Sequence, residues 1–276
     1  MLLQDTASAD LLLASTLCLS SASCKALLSA RLPAAVLQDY TSPSTPYVEL
    51  YNPDRSESFT PVNANASRFE SRFADGSVAS GFAARERVAW GGVVGPQANR
   101  LAVDDQLIGL INSTNLMLAS EHISGLFGLG PPRLSAFADY TNASPGLGGP
   151  VLSRLARNAS LGYPLFGLHL LQNTSLGGSL TLGAIDGDVV TDQSLIEWHP
   201  VVKFPPFKSA PRQNTSSPFL QWAVQLTNIN VNGTAPVRLY SAAYPETRNA
   251  TYALIDSCVY VPAAYSLVHC PRSLTT

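Results

Sequence analysis

Charge is scarce in this chain of 276 residues: Lys, Arg, Asp and Glu together make up 13%, and the net charge is −2. Without a basic excess or a Lys/Arg cluster there is no electrostatic footprint for nucleic acid or for an anionic membrane. No stretch reaches the about 18 apolar residues that a transmembrane helix needs. Cys-x-x-Cys pairs and His/Cys clusters are missing, and His122, His169, His199 and His269 are scattered. No metal and no cofactor is therefore expected. No tandem short repeat is visible. The hydrophobic share of 46% excludes disorder over most of the length, and the chain is long enough for one large domain or two lobes with sizeable cores.

What the chain has in excess is N-x-[ST] triplets. Asn65, Asn112, Asn142, Asn158, Asn173, Asn214, Asn232 and Asn249 each begin one, where roughly 2–3 would arise by chance in such a Ser/Thr-rich background. Asn142 is a poor acceptor because Pro145 follows its triplet. The other seven are candidate glycosylation sites of a protein that passes through the secretory pathway. Cys18 and Cys24 are spaced to close a small disulfide loop, whereas Cys258 and Cys270 have no evident local role. The opening "LLQDTASADLLLASTLC" (2–18) reads either as an apolar targeting stretch or as half of a catalytic site. As a signal peptide it is poor: no Lys or Arg precedes the apolar run, and Asp5 and Asp10 carry the wrong charge.

Periodicity points to an all-β body. "SGFAARERVAWGGV" puts Phe82, Ala84, Val88 and Trp90 on one alternating face, interrupted by Glu86. "GGSLTLGAID" alternates Leu180 and Leu182, and "QWAVQLTNINVNG" alternates Trp222, Val224 and Leu226 before shifting phase at Ile229 and Val231. Such a shift suggests a bulge or bend. Turn clusters recur, as in "YNPDRSES", "ADGS" and "SPGLGGP". The best helix candidate is "GPVLSRLARN" (149–158), with Val151, Leu152 and Leu155 as its apolar stripe. Trp90, Trp198 and Trp222 are expected to be packing residues, and Asp104-Asp105 a loop. "GLFGLGPP" lacks the Lys-Ser/Thr ending and setting of a phosphate loop.

In chain order, "DTASADLLLASTLC", "YNPDRSESF", "FESRFADGSVASG", "ISGLFGLGPPRLS", "PLFGLHL", "GGSLTLGAID", "EWHPV", "FLQWAVQLTNINVNG" and "ALIDS" follow one another. This ordered set resembles the pepsin-like aspartic peptidases, in a version typical of secreted fungal enzymes. The resemblance implies an all-β, bilobal fold, with an N-terminal lobe over residues 1–167 that lacks its first strands and the beginning of a C-terminal lobe over 168–276. It assigns the catalytic pair to Asp5 and Asp256, support to Thr6, Ser8 and Ser257, and a flap to Phe73, Asp75 and Gly76. Thr6 and Ser257 would brace the two loops through hydroxyl–backbone hydrogen bonds, Ser8 would bond Asp5, and Leu126-Phe127-Gly128 would thread the first loop. A disulfide would join Cys18 and Cys24, and glycans would sit on Asn65, Asn112, Asn158, Asn173, Asn214, Asn232 and Asn249. The implied activity is acid endopeptidase hydrolysis of an extended peptide or protein substrate, without metal or cofactor, by a secreted or vacuolar monomer.

The departures from the pattern cluster at the chemistry. Ala7 and Cys258 stand at the glycines of the two motifs, and Val259 stands where a hydroxyl residue should support Asp256. Phe73 replaces the flap tyrosine and Leu12 the tryptophan that would meet it. Losing both partners of a hydrogen bond can be nearly neutral, so the flap is expected to be held by packing. The resemblance begins at Asp5 and stops after "ALIDS", so the chain is expected to be incomplete at both ends, with a tail from Cys258 that is not genuine coding sequence. No useful peptidase activity is expected of the chain as it stands. The alternatives are a catalytically dead, peptide- or protein-binding glycoprotein and a purely structural glycoprotein.

Overall fold

A computed structural model describes residues 2–20, 50–73, 76–90, 101–116, 123–137, 149–157, 161–170, 178–203, 219–226, 228–230 and 251–257. The strands are β1 (Leu2–Asp5), β2 (Leu11–Ala14), β3 (Thr60–Pro61), β4 (Arg68–Arg72), β5 (Val78–Ala89), β6 (Ala102–Thr114) and β7 (Gly125–Gly128). After them come the helix α1 (Val151–Arg157) and the strands β8 (Phe166–Leu170), β9 (Gly178–Leu182), β10 (Ala223–Leu226) and β11 (Thr251–Leu254). The first seven strands form one mixed sheet in the order β1-β7-β2-β6-β5-β3, with β4 also on β5. The β1–β7 and β2–β6 pairs are parallel and the others antiparallel. β8 pairs with β9 and β10 with β11, each antiparallel. The division expected after residue 167 falls inside β8.

The centre of the large sheet is buried on both faces, and neighbouring residues show it. Leu12, Leu107, Ile111 and Leu126 join one core cluster with Phe69 and Phe137. Their neighbours Leu11, Ile108, Leu110 and Phe127 join a second with Leu129, Val151 and Leu155. Side chains alternate across a strand, so apolar residues at successive positions require cover on both sides. α1 supplies part of that cover through Val151 and Leu155, as its apolar stripe leads one to expect. A ring contact lies within each cluster: Phe69 meets Phe137 edge-on at 5.5 Å, and Trp90 meets Phe127 at 5.4 Å.

Several strand assignments change in detail. Ala84, Val88 and Trp90 do share a cluster, but Phe82 is half-buried and lies 5.0 Å beneath the Arg68 guanidinium. Glu86, the apparent interruption, is buried and accepts hydrogen bonds from Ser56 Oγ at 2.6 Å, the Arg87 amide at 2.7 Å, Ser58 Oγ and the Tyr51 hydroxyl. Burial alone would raise its pKa, yet these donors outweigh it and hold the carboxylate below its ordinary range. On β10 the fully buried residue is Ala223, with Val224 and Leu226 only half-covered. Asp104 and Asp105 belong to a bulge in β6 rather than to a loop, and they pair with Arg87 and Arg85 at 3.0 Å each. Trp198 is not a packing residue: it is 74% exposed.

The glycines of β7 and its neighbours are dictated by close backbone approach. A Cβ on Gly128 would stand 2.3 Å from the carbonyl carbon of Ala9, and one on Gly125 would stand 2.1 Å from the Leu12 carbonyl oxygen. Nothing lies within 4 Å of a Cβ placed on Gly187. Gly128→Ala should therefore cost more than about 3 kcal/mol in urea unfolding, and Gly187→Ala less than about 0.5 kcal/mol. Equal midpoints for the two variants would contradict the close approach of β7 to the 5–10 loop.

Candidate active site

Asp5 is the last residue of β1, paired in parallel register with Gly128. The chain then turns through residues 6–10 before β2, and β7 runs through that loop. Gly128 N–H donates to the Asp10 carbonyl at 3.0 Å, Leu129 N–H to the Asp5 carbonyl at 2.7 Å, and Gly130 N–H to the Ser8 carbonyl at 2.7 Å. This is the place expected for Leu126-Phe127-Gly128. Ala7 N–H donates to Asp5 Oδ1 at 2.8 Å. Ala7 is not among the described residues with positive φ, so its methyl adds no backbone strain.

The same loop is held by a contact that the sequence reading missed. Asp10 is buried, and its carboxylate accepts from Ser135 Oγ at 2.5 Å and from the Ala136 amide at 2.6 Å. Asp10 and Ser135 lie inside two of the ordered motifs, but motif order says nothing about which polar groups pair. A buried aspartate beside two apolar strands was the available signal, since a charge there requires partners.

Asp256 follows β11, whose antiparallel partner β10 sets Ala223 opposite Leu254. Two residues far apart in sequence then lock the arms together. Thr6 N–H donates to Ser257 Oγ at 3.0 Å, and Ser257 N–H donates to Thr6 Oγ1 at 2.8 Å. Thr6 Oγ1 donates to the Ile255 carbonyl at 2.9 Å, and Ser257 Oγ donates to the Gln4 carbonyl at 2.9 Å. Each hydroxyl thus accepts from the other arm's amide and donates to the carbonyl just before the other arm's aspartate. The pattern has the self-complementary form of a two-fold contact. It relates Gln4-Asp5-Thr6 to Ile255-Asp256-Ser257.

Asp5 is buried, and Asp256 half-buried. Burial raises the pKa of Asp5, the negative charge of Asp256 raises it further, and Ser8 and the Ala7 amide oppose the rise without cancelling it. Ser8 is near enough to favour the ionised form of Asp5, yet its buried Oγ has no partner within hydrogen-bond geometry among the described residues. The geometry is decisive here, so the influence is one of proximity and the expected Ser8–Asp5 bond is not formed.

β4 and β5 form an antiparallel pair where the flap is expected, with Arg72 opposite Val78. Gly76 N–H donates to the Phe73 carbonyl at 3.0 Å, and Gly76 has φ of 84°, a conformation that glycine adopts without cost. Phe73 packs against the cluster that contains Leu12. Asp75 lies outside the described residues. So do Cys24, Asn158, Asn173, Asn214, Asn232, Asn249, Cys258, Val259 and the side chain of Asn65. Cys18 is buried and disulfide-bonded. Asn112 is half-buried, at a register shift of β6 against β5. Among the described residues no cluster of His, Cys, Asp and Glu could hold a metal ion.

The model of the family described as eukaryotic aspartyl protease matches residues 1–257. No curated protein matches the chain at a significant level.

Because the Thr6 and Ser257 bonds are reciprocal, their energies should not add. Thr6→Val and Ser257→Ala should each cost about 1–3 kcal/mol, since each strands a buried partner. The double variant should cost at least about 1 kcal/mol less than the sum of the two. Strict additivity in chemical denaturation would show that the arms do not brace each other.

Proposed function

The chain belongs to the eukaryotic aspartyl protease family, and from that premise we propose that Asp5 and Asp256 act as one proton-sharing pair that activates water against a peptide bond under acidic conditions. The observation that carries this reading is the reciprocal Thr6–Ser257 arrangement, which faces the two aspartate arms towards each other. Aspartic proteases are the general case of two carboxylates too close to ionise together. The ionised carboxylate takes a proton from water while the protonated one donates to the scissile carbonyl oxygen. Attack of the water oxygen gives a tetrahedral gem-diol, and proton transfer to the amide nitrogen breaks the C–N bond and releases acid and amine. The proton belongs to the pair, and neither residue alone is assigned as acid or base.

The substrate class that fits is an extended peptide, closed over by the hairpin that ends at Phe73 and Gly76, with Asp75 between them. The reading extends to two lobes meeting near residue 167, a Cys18–Cys24 bridge, glycans on the seven favourable sequons, and a secreted or vacuolar monomer. Among the described residues no helix is long and apolar enough to cross a membrane.

Two features favour a weak or inactive catalyst that keeps its cleft. Ser8 Oγ makes no hydrogen bond beside Asp5. Cys258 and Val259 stand where the family pattern has a glycine and a hydroxyl residue. The second reading is therefore a peptide-binding protein built on the same pair.

A peptide carrying a transition-state-mimicking hydroxyl should bind at acidic pH, and Asp5→Asn should weaken it by about tenfold or more, the worth of a charge-assisted hydrogen bond. Cleavage of a denatured protein should be slight or absent. Vigorous acid cleavage that Asp5→Asn abolishes would establish the chemistry and overturn the expected inactivity. Absence of both binding and cleavage would overturn the aspartate-pair site itself.

A further inference from the structure

Trp222 stands outside the Thr6–Ser257 arrangement, yet it touches both arms. Its indole Nε1–H donates to the Leu129 carbonyl at 2.9 Å. Leu129 in turn donates its own N–H to the Asp5 carbonyl at 2.7 Å. On the other side, the Trp222 backbone carbonyl accepts the Ile255 N–H at 2.8 Å. The Ile255 carbonyl accepts Thr6 Oγ1 at 2.9 Å, and Thr6 follows Asp5. The circuit closes: Asp5, Leu129, Trp222, Ile255, Thr6 and back to Asp5.

From this circuit we infer that Trp222 is a positioning residue, fixing the spacing of the two aspartate arms through its indole N–H. The inference rests on the proposed Asp5–Asp256 pair and adds a second, independent tie between its halves. The indole offers one donor and no acceptor, and on the half-buried Trp222 that donor is spent on the Leu129 carbonyl. The ring is oriented by an edge contact with Phe166 at 6.0 Å. It also forms part of an apolar pocket of about 180 Å³ with Leu129, Leu152, Phe166 and Phe219. Low polarity around a hydrogen bond strengthens it and lets each bond in the chain polarise the next. A residue that served packing alone would need its ring and not its N–H.

Amide hydrogen exchange separates the two roles without requiring activity. Trp222→Phe keeps a ring and removes the donor, whereas Phe166→Leu keeps the donor and removes the neighbouring ring. Trp222→Phe should speed exchange at Leu129, Thr6 and Ser257 about tenfold relative to the β5–β6 amides. Phe166→Leu should leave those three within about twofold. If Trp222→Phe does not fold, benzothienylalanine at position 222, an indole shape without the N–H, carries the same comparison. Equal effects of the two variants, or unchanged Thr6 and Ser257 amides after loss of the N–H, would overturn the inference.

Binding gives the second readout. Loss of the N–H should weaken the transition-state-mimicking peptide several-fold while leaving an ordinary amide peptide of the same sequence within twofold. Equal weakening of both peptides would contradict a positioning role. If the unmodified chain binds neither peptide, the aspartate-pair reading fails, and the exchange comparison still decides whether Trp222 couples the arms.

Discussion

Everything at the site depends on two hydroxyls 251 positions apart that each serve the other's backbone. Thr6 and Ser257 are both buried. In that setting an unpaired hydroxyl or amide is costly, and a fully paired set is rigid. The bonds fix each arm at the residue after its aspartate and at the residue before it. The arms are therefore braced on both sides of each carboxylate, while Asp5 Oδ1 also accepts the Ala7 amide.

The arm geometry is inherited from the core. β7 passes through the 5–10 loop, and glycine at 125 and 128 lets its backbone lie against that of residues 9–13. Burial on both faces of β2, β6 and β7 makes the threaded strand immobile, because any shift would uncover apolar side chains on one face or the other. Asp10, held by Ser135 and Ala136, closes the loop at its far end. The raised pKa of Asp5 is the electrostatic consequence: burial in this core disfavours the charged form of its carboxyl, and the negative charge of Asp256 adds to the effect.

The sequence was most legible where one residue type has one use. Alternating apolar residues marked β5, β9 and β10, and the short apolar stripe marked α1. The resemblance carried by the ordered motifs, and no local pattern, marked the two arms and, with them, the Thr6–Ser257 brace. It was least legible where the role depends on a partner distant in sequence. Glu86 looked like an interruption because nothing local shows that Tyr51, Ser56 and Ser58 come to meet it. Trp222 and Trp198 carried the same expectation of packing, yet one donates its N–H to Leu129 and the other is exposed. Ser8 shows the converse, a motif residue whose expected bond is not made.

The central claim is that the two carboxylates face each other, and the titration of Asp5 tests it most directly. Its carboxyl carbon should be followed by NMR across the acidic range in the unmodified chain and in Asp256→Asn. Facing carboxylates require Asp5 to titrate above its ordinary value of 3.8 and to move down when the Asp256 charge is removed. An Asp5 titration that is the same in both proteins would contradict the pair.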